Sequence, residues 1–128
     1  MQPIPLYTGS VPAGFASPIE DHLDKQLDLN EFMIAHPSAT FFVKVEGDSM
    51  IGAGIHSGDM LVVDRALEAR SEQIVLAVIH NEFTVKRLRK EKGRIFLYPE
   101  NPRYQPIEIL ENMDFSIWGV VTFAIHKL

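Results

Sequence analysis

The apolar positions of this chain fall into two regimes. From Thr40 onward, short runs of β-branched and aromatic residues alternate with turn residues, which predicts strands. Thr40 to Glu46 alternates, with Phe41, Val43 and Val45 on one face. Met60-Leu61-Val62-Val63-Asp64 and Ile74 to Ile79 are near-continuous apolar runs, as in strands buried on both faces. His80-Asn81 turns the chain into a strand over Glu82 to Arg89, and Arg94 to Tyr98 forms another, stopped by Pro99 and Pro102. Phe115 to Ile125 forms a last long strand, with a bend or bulge expected at Gly119. Before residue 40 the signals differ. Ser17, Pro18 and Glu20 make a capping box for a helix whose apolar stripe is Ile19, Leu23 and Gln26-Leu27. A second helical turn is expected from Glu31 to Ala35, ending before His36-Pro37. Residues 1–16, with Pro3, Pro5, Pro12, Gly9 and Gly14, read as an extended, mobile arm. The prediction is a mainly β protein: a compact, strongly bent sheet or partial barrel over residues 17–128, with a short helix and an extended N-terminal arm.

Composition narrows the function classes. At 128 residues there is room for one domain with a real core. A net charge of −5 argues against direct or sequence-specific DNA binding, which needs a concentrated basic surface. The absence of cysteine removes disulfide and thiolate chemistry. No apolar run approaches a membrane span, and Met1 to Leu6 lacks the blocks of a signal peptide. A cytoplasmic protein without membrane contact is expected.

The candidate chemistry sits in Gly47-Asp48-Ser49-Met50 and in Lys86, 37 residues after the serine. Gly47 permits a sharp turn after a strand, and Met50-Ile51 can begin a helical turn ended by Gly52 or Gly54. A serine at such a corner exposes its hydroxyl, and neighbouring backbone N–H groups can face a developing oxyanion. Lys86 lies on an apolar strand, between Val85 and Arg87 and on the face of Thr84 and Leu88. A lysine is a general base only when neutral, so its ordinary pKa of about 10.4 must fall toward neutrality. Burial would lower it, and so would repulsion from Arg87 or Lys44. Upstream, Ala13-Gly14 is a small, flexible bond that such a pair can cut.

Four segments carry a resemblance. Val11 to Pro18, Phe42 to Met50, Gly58 to Asp64 and Glu82 to Leu88 resemble the self-cleaving LexA/UmuD family, and within it the UmuD-type SOS mutagenesis proteins. His36 to Thr40 and Trp118 to Val121 fit the same branch. The resemblance implies a LexA-like catalytic domain over residues 17–128, also used for dimerisation. It makes Ser49 the nucleophile, Lys86 the general base, and Ala13–Gly14 the cleaved bond. Backbone N–H groups of Asp48 and Ser49 become the oxyanion donors. Ala13 matches the repressor branch, where the best-known mutagenesis protein has cysteine, and both residues are small. With 13 residues before the bond there is no room for a helix-turn-helix domain, so a repressor is not expected. The family pattern further implies stimulation by a RecA–single-stranded DNA filament. The shortened product then forms a homodimer and joins a UmuC-type polymerase subunit for translesion synthesis.

Rival readings are weaker. His22, His36, His56, His80 and His126 are scattered and sit in no triad motif. With Asp59, Asp64 or Glu82 they show no metal-ligand spacing, so no metal and no cofactor are expected. A signal peptidase shares the Ser-Lys pairing but needs membrane attachment. A non-enzymatic β-domain binding a polymerase partner, without self-cleavage, is the alternative. Phe115, Trp118, Phe123 and Ile125 can be core or a dimer face, with most of them expected in the core. Lys86 to Lys90 is expected as a basic, exposed hairpin end.

Overall fold

β-branched and aromatic residues fit a pleated, half-buried surface, and about a third of the residues after 39 are of these kinds. The structure, a computed structural model, describes residues 4–7, 10–15 and 25–128. The chain divides into two units, residues 1–35 and 36–128.

In the first unit, β1 (Ile4–Leu6) pairs antiparallel with β2 (Lys25–Leu27), Ile4 opposite Leu27. Helix α1 follows at Leu29–Met33. Two expectations need correction here. The helix predicted from Ser17 lies mostly outside the described residues, and its end, Lys25–Leu27, is a strand. The second helix begins earlier than Glu31, because Asp28 is its cap: its carboxylate accepts the Asn30 N–H at 3.0 Å. An N-cap needs extended backbone, and Asp28 has φ −101° and ψ 113°, so the chain runs extended into α1. Three residues are too few for their spacing to tell helix from strand. Ala13 and Gly14 lie in a bend, exposed to solvent.

The second unit is an antiparallel sheet of seven strands. These are β3 (Thr40–Lys44), β4 (Met60–Asp64), β5 (Ile74–Ile79), β6 (Glu82–Glu91), β7 (Arg94–Tyr98), β8 (Ile107–Ile109) and β9 (Phe115–Ile125). Their order is β3-β4-β9-β5-β6-β7-β8. It is an open, bent sheet, not a closed barrel. The hairpins β5–β6 and β6–β7 turn at His80-Asn81 and Lys92-Gly93, where all four residues have positive φ, the backbone that matches strand twist in two-residue loops. β8 carried no clear signal in the sequence.

Both faces of the sheet are covered. Leu61, Val63, Leu76 and Val85 join Met50 and Ile55 in one apolar cluster, with Phe41, Val43 and Val45 packed against it as predicted. Val75, Ala77, Leu88 and Leu97 form the other, so alternate residues of β5 serve opposite sides. β9 reaches both by slipping register twice. Trp118 is extra between the pairs Ala77↔Ile117 and Leu76↔Gly119, and Thr122 is extra between Val63↔Val121 and Val62↔Phe123. Such bulges bend a sheet and strengthen its twist. The interruption expected at Gly119 is therefore real, with the bulge one residue earlier. Gly119 itself is a close approach: a Cβ there would lie 2.6 Å from Val63 Cγ1. Trp118 and Ile125 are exposed rather than core. As the extra residue of a bulge, Trp118 lies against Phe83 and Phe41, with the Arg65 guanidinium 4.4 Å from its ring.

Candidate active site

The nucleophile turn follows β3 and is held by five hydrogen bonds. Gly47 has φ +93°, a conformation open to glycine, and its N–H donates to Ser57 Oγ at 3.0 Å. The Asp48 carbonyl accepts from Asn101 Nδ2 at 2.9 Å, and its carboxylate accepts from the Tyr104 hydroxyl at 2.6 Å. The Ser49 carbonyl accepts the Glu100 N–H at 2.8 Å, and the Glu100 carbonyl accepts the Gly52 N–H at 2.8 Å. Met50 is buried in the first apolar cluster. A 3-10 turn, Ile51–Ala53, then ends at Gly54 with φ +82°.

This bracing sets the direction of the backbone donors. In a trans peptide the C=O and the following N–H point to opposite sides. With the Asp48 and Ser49 carbonyls turned toward the Glu100–Asn101 segment, the N–H groups of Ser49 and Met50 face away from it. Among the described residues, none accepts a hydrogen bond from the N–H of Asp48, Ser49 or Met50.

Lys86 comes from β6 and meets the serine: its Nζ lies 3.1 Å from Ser49 Oγ, 2.9 Å from Thr84 Oγ1 and 3.1 Å from the Val85 carbonyl. Burial holds the Lys86 pKa below the ordinary lysine value. Burial, rather than the repulsion from Arg87 or Lys44 also considered from the sequence, is the cause of this shift. Arg87 turns instead to the Glu100 carboxylate and the Glu72 carbonyl. The basic run is therefore not a free hairpin end: Leu88 is fully buried, and Arg89 pairs with Glu72.

A cleft of about 330 Å³ opens at the pair, lined by Val43 to Glu46, Ser49, Leu76 and Phe83 to Lys86. Among the described residues its β3 wall is an edge of the sheet, paired only with β4. An edge strand offers unpaired backbone groups to an extended peptide. Ala13 and Gly14 belong to the first unit, Ser49 and Lys86 to the second.

Two acid–histidine contacts appear elsewhere. His36 Nδ1 lies 2.6 Å from Asp64 Oδ2, and His126 Nδ1 lies 2.6 Å from Asp59 Oδ1, with His56 beside it. Neither includes Ser49. Sequence reasoning also missed Glu100, Asn101 and Tyr104, because their contacts join segments about half the chain apart. Among the described residues, no helix is long and apolar enough to cross a membrane.

Fold and cleft define a small antiparallel β-protein that sets a serine against a lysine at the mouth of a peptide-sized groove. The Peptidase S24-like family pattern matches residues 5–122. Protein SamA of Salmonella typhimurium is 50% identical over 123 residues, spanning 96% of this chain and 85% of that protein. Protein MucA of Escherichia coli is 46% identical over 124 residues, spanning 95% and 84%. The LexA repressor of Bordetella parapertussis is 40% identical over 123 residues, spanning 96% of this chain and 56% of that protein. The chain belongs to the Peptidase S24-like family, in its UmuD-type branch of SOS mutagenesis proteins.

Proposed function

We propose that this chain is a serine–lysine self-cleaving protease that cuts its own Ala13–Gly14 bond. The observation that carries the reading is the contact of Lys86 Nζ with Ser49 Oγ at 3.1 Å, made by a lysine whose pKa burial lowers. A neutral amine has two N–H groups and one lone pair. Thr84 Oγ1 and the Val85 carbonyl take the two donors, leaving the lone pair for the serine proton.

Lys86 then removes the Ser49 proton as Oγ attacks the Ala13 carbonyl carbon. The N–H groups of Asp48 and Ser49 receive the oxyanion. The resulting ammonium returns its proton to the Gly14 nitrogen, which leaves, and Ala13 remains as an ester on Ser49. Water, deprotonated by Lys86, hydrolyses that ester and frees the serine. Residues 1–16 serve as the arm presenting the bond, and residues 17–128 as the catalytic and dimerisation domain. A docked arm has a high effective concentration, which suits a reaction of one turnover per chain.

By family membership, the setting is the cytoplasmic SOS response. A RecA filament on single-stranded DNA stimulates the cut, and residues 14–128 persist as a homodimer that joins a UmuC-type subunit of a translesion polymerase. The test is intact-mass spectrometry after incubation at mildly alkaline pH, with and without an activated RecA filament. Loss of residues 1–13 from the wild type, and from neither Ser49→Ala nor Lys86→Ala, is expected. An uncut wild type in the presence of the filament would overturn self-cleavage and leave a binding subunit. Cutting by Lys86→Ala at the wild-type rate would remove the lysine from the mechanism.

A further inference from the structure

We propose that His56, Asp59 and His126 form a binding site for a first-row transition-metal dication of the zinc class. Antiparallel pairing of Met60 with Ile125 brings the turn before β4 beside the end of β9, and so unites residues 67 positions apart. The Asp59 side chain is 1% exposed, so its carboxylate is a fixed point. Its Oδ1 lies 2.6 Å from His126 Nδ1, and its Oδ2 accepts the His56 backbone N–H at 2.8 Å and lies 3.7 Å from His56 Nδ1. The two imidazoles are half-exposed, with ring centroids 4.5 Å apart.

One ligand atom from each residue falls within 4.8 Å of the others. A tetrahedral ion with bonds of about 2.0–2.2 Å to nitrogen and oxygen needs its ligand atoms roughly 3.3–3.5 Å apart. The 2.6 Å contact of His126 Nδ1 with Oδ1 must open, and His56 Nδ1, now 3.7 Å from the other oxygen, Oδ2, must turn toward an ion held on Oδ1. Rotation of the two accessible rings does both, while Asp59 stays in place. The ion enters between His126 Nδ1 and Asp59 Oδ1 as that contact opens. Two imidazoles and one carboxylate suit zinc, cobalt or nickel, whereas magnesium and calcium prefer sites built from oxygen. Water completes the coordination from the solvent side.

None of the three residues lines the Ser49 cleft. Their turn is nonetheless tied to the segment entering it: Val45 N–H donates to the Asp59 carbonyl at 2.9 Å, Gly58 N–H to the Val45 carbonyl at 2.8 Å, and Gly47 N–H to Ser57 Oγ at 3.0 Å. A bound ion would staple the last residues of the chain to this turn.

The test uses the full chain as Ser49→Ala, so that it stays intact, with zinc chloride in calorimetric titration and cobalt(II) followed by visible absorption. One ion per chain is expected, with the strong ligand-field bands of a four-coordinate cobalt site. Zinc at a hundredfold excess over its Kd should raise the Tm by roughly 5–10 °C, and magnesium should not. His56→Ala and His126→Gln, at exposed positions, should each weaken zinc binding at least tenfold, while His80→Ala should leave it unchanged. No saturable zinc binding, or an affinity unaltered by either of the first two substitutions, would overturn the site.

Discussion

Gly52→Ala isolates one physical effect. Gly52 does not have positive φ, so alanine meets no backbone penalty there, only a collision. Its Cβ would stand 2.6 Å from the Glu100 carbonyl oxygen, and ordinary contact begins near 3.4 Å, so the Glu100 peptide must retreat by about 0.8 Å. That carbonyl accepts the Gly52 N–H, and the Glu100 N–H donates to the Ser49 carbonyl, both at 2.8 Å. A retreat of this size breaks the first bond and stretches the second, at roughly 1 kcal/mol each. Overpacking adds about 1–3 kcal/mol, while the stiffer unfolded chain returns about 0.4–1 kcal/mol. The net expectation is a loss of about 2–4.5 kcal/mol, seen as a Tm lower by roughly 6–20 °C for a chain of this size. Circular dichroism melts of Gly52→Ala in the Ser49→Ala background measure it without interference from cutting. With Ser49 restored, cleavage well below the melt should fall by about tenfold to a hundredfold, because the nucleophile turn shifts against Lys86. A Tm within about 2 °C of the parent would refute the close-approach argument, whatever the cleavage rate.

Lys86→Met should abolish cleavage and still stabilise the fold. Burial lowers the Lys86 pKa, so the charged form is disfavoured in the folded state. Removing it should gain roughly 0.5–1 kcal/mol, a figure kept small because the amine still reaches solvent, and a lower Tm than wild type would count against it. By the same sign, the cleavage rate should climb with pH as Lys86 loses its proton, and a flat profile in mildly alkaline buffer would exclude a lysine base. At Asp64, burial raises the pKa, but the His36 side chain and the N–H groups of Ala66 and Leu67 outweigh it, leaving the carboxyl below its usual 3.8. Its contribution to stability is complete above that value and lost as pH falls through the lower folded-state pKa. His36→Ala should therefore move acid unfolding to higher pH, and an unchanged acid midpoint would show the pair to be idle. Asn101→Ala frees the Asp48 carbonyl, costing about 1–2 kcal/mol and slowing cleavage, while Tyr104→Phe should be milder because that contact is exposed.

What the sequence disclosed depended on range. Strands such as Met60–Asp64 and Ile74–Ile79 were legible because their apolar runs are continuous and bounded by turn residues. Ser49 was legible through Gly47, whose positive φ a turn there demands, and Lys86 as a charge on an apolar strand. The faces of β6 were not, because Arg87 breaks the alternation and only its pairing with Glu100 explains it. Lys25–Leu27 took its strand form from Ile4–Leu6, some twenty residues earlier, against a locally convincing helix signal. Glu100, Asn101 and Tyr104 reach the nucleophile turn across about fifty residues, a distance over which spacing carries no information. His56 and His126 likewise look unrelated until β4 and β9 are laid side by side.

The double slip in β9 has a consequence for how this protein tolerates length changes. Parity along a strand decides which side a residue serves, and a single extra residue inverts it. Phe115 and Ile117 serve the second cluster; past Trp118, Val121 serves the first; past Thr122, Phe123 stands opposite Val62 and parity has returned to its starting phase. β9 is thus three short reading frames in one strand. Because each is the extra residue between consecutive pairs, deleting Trp118 or Thr122 alone would close its bulge and leave everything beyond it opposite its present partner. Deleting a paired residue such as Ile117 would instead turn the adjoining stretch inside out. Deleting both Trp118 and Thr122 would close both bulges with the same pairing throughout, so the double deletion should cost the sheet its local bend and twist rather than its two apolar clusters.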